Sequence, residues 1–146
     1  MEMYGGINAL SNSKAKSLLK QLRTVDAKTT SVSAEFVHFV DLKKPLAAAD
    51  AATLKTLLTY DTPYGGARTG QLYLVVPRPG TISPWSSKAT DIAHNTGLAQ
   101  VERIERGMAY YIDSPNRADI APLLHDRMTE AVLDSLEAAK SLFIQP

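Results

Sequence analysis

The chain has 146 residues, 45% of them apolar, and carries 16 Lys and Arg against 15 Asp and Glu. That is enough apolar side chain for one compact domain with a core, and too little net charge to make nucleic acid or an anionic membrane the main partner. With no cysteine, disulfides, thiolate catalysis and cysteine-ligated metals are excluded; with no basic-then-apolar leader and no run of membrane-spanning length, the expected location is the cytoplasm.

Ser11 or Ser13 is placed to cap a first helix, because Ala15, Leu18, Leu19 and Leu22 recur on one face while lysines and Arg23 take the other. From Thr30 the period changes to two. Val32, Ala34, Phe36, His38 and Val40 alternate with Ser33, Glu35, Val37 and Phe39 in a β-branched and aromatic run, which predicts a strand partly buried on both faces. Asp50 offers an N-cap to a short helix bearing Leu54, Leu57 and Leu58, and Thr62-Pro63-Tyr64-Gly65-Gly66 breaks the chain into a loop. Leu72 to Val76 is a continuous apolar run ended by Pro77 and Pro79, as expected of a central strand.

The stretch PRPGTISPWSSKATDIAHNTGL, residues 77–98, then reads as a strand-to-helix elbow. Ser83 is the N-cap, Pro84 the first helical residue and Gly97 the left-handed cap, with Trp85, Ala89, Ile92 and Ala93 on one face. VERIERGMAYYID predicts two short strands joined through Arg106-Gly107, with a bulge between Val101 and Ile104, whose spacing breaks the two-residue period. A last helix is expected from Asp119, with Pro122 in its first turn and Leu124, Met128, Ala131, Ser135 and Leu142 toward the core.

These elements predict an α+β fold, a two-layer sandwich with helices over one face of a mainly antiparallel sheet. The domain is expected to comprise an N-terminal helical extension (1–25), the sandwich (30–140) and the start of a linker (141–146). Val37, Phe39, Tyr110 and Tyr111 cannot all point inward, so the second sheet face should be covered too.

Candidate chemistry concentrates at two places. At the elbow, the free N–H groups of a helix start, the hydroxyls of Ser83, Ser86 and Ser87, and the cations Arg78 and Lys88 could surround a phosphate. The GxxxxGK[ST] spacing of a Walker loop is absent, however, and a Pro-Gly turn feeding a serine-capped helix is common structural grammar. Trp85 either staples the helix to the sheet or anchors a partner. In LHDRMTE, His125, Asp126, Arg127 and Glu130 crowd one expected helical turn, whose simplest reading is a solvated ion-pair face. His38, His94 and His125 show no metal-ligand spacing, and GxSxG, GxGxxG and paired hydrolytic acids are missing, so neither a metal nor an active site of the chain's own is expected.

Taken together, residues 77–98, VERIERGMAYYI, LHDRMTE and AEFVHFVDL (34–42) resemble the N-terminal domain of the large, single-chain phosphoribosylformylglycinamidine (FGAM) synthase of purine biosynthesis. The resemblance implies a PurS-like, ferredoxin-like fold. It also implies a role in an ATP- and magnesium-dependent glutamine amidotransferase, a ligase that converts formylglycinamide ribonucleotide (FGAR) to FGAM. ATP and Mg2+ would be used by the whole enzyme and no cofactor by this domain. The implied partners are the linker, synthetase and glutaminase domains, with self-association through the sheet a further option. None of that enzyme's catalytic residues maps onto these positions. Arg78, Trp85, Ser86, Ser87, Lys88, Asp91, His125, Asp126, Arg127 and Glu130 are then expected at an interface or near the substrate cleft. The alternative is a self-standing dimeric module that binds a nucleotide or phosphate at the 77–88 elbow.

Overall fold

A computed structural model describes residues 1–144. Its elements alternate: β1 (Glu2–Asn8), α1 (Asn12–Val25), β2 (Val32–Leu42), α2 (Ala48–Leu57), β3 (Gln71–Pro77), α3 (Pro84–Asn95), β4 (Val101–Ile112), α4 (Arg117–Ile120) and β5 (Glu130–Leu133). Two 3₁₀ segments, Ala121–Leu123 and Glu137–Phe143, complete the C-terminal part. All pairings are antiparallel and the strand order is β1-β2-β4-β3-β5. The α+β sandwich expected from the sequence is therefore present, with β2 and β4 as its long central pair.

Because side chains alternate across a strand, the sheet has two distinct faces. On the first, Ala34, Tyr73, Val75, Tyr110 and Ile112 pack with Leu18 and Leu22 of α1 and with Ile120. Toward the other end of the same face, Val40, Val101 and Ile104 pack with Leu54 of α2, Ala93 of α3 and Leu98. Burial of each large aliphatic side chain contributes about 1.5–3 kcal/mol. The centre of this face, between the two clusters, is the row formed by Phe36 paired with Met108 and His38 paired with Arg106. On the second face, Val37, Phe39, Leu74, Val76 and Ala109 meet Ala139 and Leu142 of the last 3₁₀ segment. The expected covering of that face is thus supplied by the chain itself.

Several local expectations differ from the structure. Residues 2–8, expected within a helical extension, form the edge strand β1 instead, and the helix follows at Asn12. Ser11 is its N-cap and accepts from Lys14 N, as anticipated. The α2 cap is Ala47, with Asp50 inside the first turn. VERIERGMAYYI forms one continuous strand, since Gly107 is not a turn. A Cβ there would come within 3.0 Å of the Val75 carbonyl oxygen, so the glycine lets neighbouring strands approach. The bulge is where the period broke: Asp41 pairs with Arg103 and Leu42 with Val101, leaving Glu102 extra.

The long last helix is absent. Residues 117–123 turn tightly, Glu130–Leu133 pair with Leu74–Pro77 as an edge strand, and only a 3₁₀ segment follows. The apolar residues there do serve the core, but through a strand ladder and a face contact rather than a helical stripe. Of the linker expected at 141–146, residues 145 and 146 lie outside the described residues.

Candidate functional site

The elbow is built as its sequence demands. β3 ends at Pro77, Ser83 takes an extended backbone at the N-cap and accepts from Ser86 N at 3.0 Å, and Pro84 occupies the first turn. Gly97, at φ +93°, closes the other end. The hydroxyls of Ser83 and Ser86 are already in use. Ser83 Oγ donates to Glu105 Oε1 at 2.8 Å, and Ser86 Oγ donates to the Ile104 carbonyl. Glu105 is almost wholly buried and also accepts from Arg103 Nη2 at 2.7 Å and from Arg106 N at 3.1 Å. Arg103 in turn donates to the carbonyls of Thr81 and Leu142. A buried carboxylate therefore sits at the helix start, where a bound phosphate would meet like charge.

Of the elbow residues singled out in the sequence, Arg78, Ser87, Lys88 and Asp91 are exposed, Ser86 is buried and Trp85 is half-buried. Ser86, Ser87 and Asp91 line a cavity of about 330 Å³ shared with Asp41, Arg103 and Phe143. Lys88 and Trp85 line a second, of about 360 Å³, with Leu57, Tyr60, Ala89 and Ile92. This second one is an apolar groove between α2 and α3, and Tyr60 and Ile92 on its walls are each 47% exposed.

The expected helical cluster at 125–130 is a turn leading into β5. His125 Nδ1 donates to the Ala121 carbonyl at 2.7 Å, Asp126 caps Met128 N, and Glu130 Oε1 accepts from Asp126 N. No Arg127–Glu130 ion pair forms among the described residues, because the i, i+3 helical spacing that would bring them together does not exist. Of this group only Glu130 reaches the elbow's neighbourhood, lining a third cavity of about 210 Å³ with Phe36, Trp85, Arg106 and Met108.

Trp85 packs on the sheet, the first of its two anticipated roles, and is half-buried. One side of the indole packs on the sheet, 5.6 Å between ring centroids from His38, with the Arg106 guanidinium 4.6 Å from its ring; the other side forms the wall shared by the groove and the third cavity. His38 is fully buried, consistent with a packed histidine. Its Nδ1–H donates to the Tyr4 carbonyl at 3.1 Å, which leaves Nε2 to accept the Tyr60 hydroxyl at 2.9 Å. The Tyr60 oxygen accepts from Arg106 Nη1 at 2.9 Å. Burial, and then the nearby Arg106 charge, lower the His38 pKa to about 4 against a favourable carbonyl contact, so the ring is neutral at ordinary pH.

A second polar constellation lies on the opposite face. Glu35 is buried and accepts from Arg68 Nε at 2.5 Å and Nη2 at 3.0 Å, Tyr111 Oη at 2.6 Å and Gly6 N at 2.8 Å. Burial pushes its pKa upward, but these hydrogen bonds outweigh it and the net direction is down. Burial and the neighbouring carboxylate raise the Tyr111 phenol. Arg68 also lies over the Tyr64 ring at 5.1 Å, and Tyr64 bonds Ser33 Oγ at 2.7 Å. The 59–70 loop is thereby fastened to β1 and β2.

The sequence reading did not single out Tyr60, Arg106, Phe36, Glu35 or Arg68 as site residues. For Arg106 a signal existed: once β4 is continuous, a cation alternates with apolar residues on the core side. Among the described residues no three His, Asp or Glu side chains gather closely enough to hold a metal ion, and no helix is long and apolar enough to cross a membrane. In comparison with known protein families, residues 35–143 match the family described as Formylglycinamide ribonucleotide amidotransferase N-terminal.

Proposed function

This chain belongs to that family, the N-terminal domain of FGAM synthase in purine biosynthesis, and from that membership we propose that it is a noncatalytic scaffold. In this reading it holds the linker, synthetase and glutaminase domains of the enzyme in register in the cytoplasm. The whole enzyme, an ATP- and magnesium-dependent ligase, would convert FGAR, ATP and glutamine to FGAM, ADP, phosphate and glutamate. Magnesium and ATP would act in domains other than this one, and the glutaminase nucleophile, a cysteine, has no counterpart in a chain without cysteines.

The observation that carries the proposal is a contrast within the domain. The buried ionisable groups Glu35, His38 and Glu105 have their hydrogen bonds met inside the chain, whereas an apolar groove walled by Tyr60, Trp85 and Ile92 stands open. Groups that do chemistry need free polar atoms beside a cavity; a docking surface needs an aromatic anchor and apolar walls. The self-standing phosphate module is disfavoured by Glu105 at the elbow.

The test is made in the full amidotransferase. Trp85→Ala is expected to loosen attachment of this domain, seen as faster proteolysis at its boundary, while the apparent affinity for FGAR changes little. A raised FGAR requirement with unchanged attachment would place Trp85 in the substrate cleft instead. FGAM formation by the isolated 146-residue chain would refute the scaffold reading.

A further inference from the structure

The groove carries more information than its apolar walls. Arg106 projects from the centre of the helix-covered face and is held in a fixed pose. Its guanidinium lies 4.3 Å from the Phe36 ring centroid and 4.6 Å from that of Trp85, and Nη1 donates to Tyr60 Oη. Tyr60 is itself positioned by His38, whose other nitrogen is fixed by the Tyr4 carbonyl. Among the described residues Arg106 makes no other side-chain hydrogen bond and no ion pair. A guanidinium has five N–H donors in a planar fork, so most of this fork is without a protein acceptor.

Two other arginines beside the central strands are treated differently. Arg68 and Arg103 each meet a buried carboxylate, Glu35 and Glu105. Glu105, which is paired with Arg103, and Glu130, whose Oε1 is engaged by Asp126 N, both line the third cavity with Arg106 without an ion pair to it. A half-desolvated cation stacked on two rings, preorganised and with no carboxylate within ion-pair distance among the described residues, is complementary to a further carboxylate, which a guanidinium fork binds in bidentate fashion.

Trp85 joins this cation to the apolar groove, being a wall of both cavities. We propose that the joined surface receives a protein segment from another domain of the amidotransferase, one that places an apolar side chain in the Tyr60–Ile92 groove and an Asp or Glu carboxylate on Arg106. A free inorganic anion would satisfy the fork alone and leave the groove uncovered. This inference rests on the scaffold reading and names the chemistry of the docked partner.

The experiment measures association of this chain with the remainder of the amidotransferase at low and high salt, for wild type and for Arg106→Lys, Arg106→Glu, Trp85→Ala and Ile92→Asp. Arg106→Glu is expected to weaken association about tenfold or more and to abolish its salt sensitivity, Arg106→Lys to retain part of both, and Ile92→Asp to weaken it by a similar factor. Thermal unfolding and circular dichroism check that each variant is folded; Ile92 and Arg106 are not fully buried, so their variants keep the test usable if Trp85→Ala does not fold. If Ile92→Asp weakens association while folded Arg106 variants do not, the carboxylate is wrong and the scaffold reading stands. If none of the folded variants matters although the pieces associate, the groove is not the dock. If inorganic phosphate binds the isolated chain in an Arg106-dependent way and association is unaffected by Arg106→Glu, the site is one for small anions and the proposal falls.

Discussion

The two faces of the sheet handle charge in opposite ways. On the face covered by the last 3₁₀ segment, Glu35 and Glu105 are buried and each is closed by an arginine of the same chain. On the helix-covered face, Arg106 is held by two aromatic rings and a phenol, with no ion-pair partner among the described residues. The difference teaches which polar group serves the fold and which is left over. A buried ion with all its partners is a fixture, and removing one partner costs several kcal/mol because the other is stranded. A cation resting on aromatic rings strands no buried ion when it is removed, so it can be altered with little loss of stability.

The contrast breaks most readily at Glu35. Glu35→Ala strands Tyr111 Oη and Gly6 N and releases Arg68, and is expected to destabilise the chain by about 3 kcal/mol in a denaturant titration. A loss below about 1 kcal/mol would mean that the closed face is not a structural fixture. Next is the pH dependence of His38. Its pKa is lowered to about 4 in the folded chain, so the unfolded chain takes up the proton first as pH falls below about 6.5, and stability drops by about 3 kcal/mol on reaching pH 4. The lowered Glu35 pKa acts with the same sign, since the favourable charge is lost as that carboxylate is protonated. His38→Gln should flatten the part of the pH profile between 6.5 and 4; an unchanged profile would assign the slope elsewhere.

Arg68→Ala comes third. Its side chain is 55% exposed, and solvent access reduces the expected loss to about 1–2 kcal/mol, with the 59–70 loop cut faster by protease. The smallest effect belongs to the open face: Arg106→Ala is expected to cost under about 1 kcal/mol in the isolated chain. A larger loss would make Arg106 a structural residue and erase the distinction between the faces.

How much of this was legible in the sequence depends on the range of the interaction. The elbow could be read because Ser83, Pro84 and Gly97 act within a few residues of themselves, and the bulge could be read because Val101 and Ile104 break a local period. The Glu35–Arg68 pair spans 33 positions, and nothing local marks it. The 119–142 stretch was misread as a helix because its apolar spacing fits one, yet Ala131, Val132 and Leu133 find partners in β3, and strand pairing overrides a weak helical preference. Arg106-Gly107 was misread as a turn because glycine ordinarily signals one, whereas here it admits the neighbouring strand. Of the candidate residues, Trp85 and Lys88 line the groove and Ser86, Ser87 and Asp91 a separate cavity, Arg78 is exposed, and His125, Asp126 and Arg127 belong to a turn that stabilises itself.

The extra residue at Glu102 lets Val101 and Ile104, three positions apart, face the same helices. Beyond it the ladder is regular, and Ile104 and Arg106 look toward the helices while Arg103 and Glu105 look away. Removing Glu102 itself would leave Leu42 opposite Val101 and Asp41 opposite Arg103 in a regular ladder, whereas losing a residue beyond the bulge would swap these neighbours, sliding an acid beneath the indole and forcing a guanidinium out of its carboxylate's reach. The polarity of both surfaces thus hangs on a single-residue offset, which makes β4 the place where an insertion or deletion does the greatest harm.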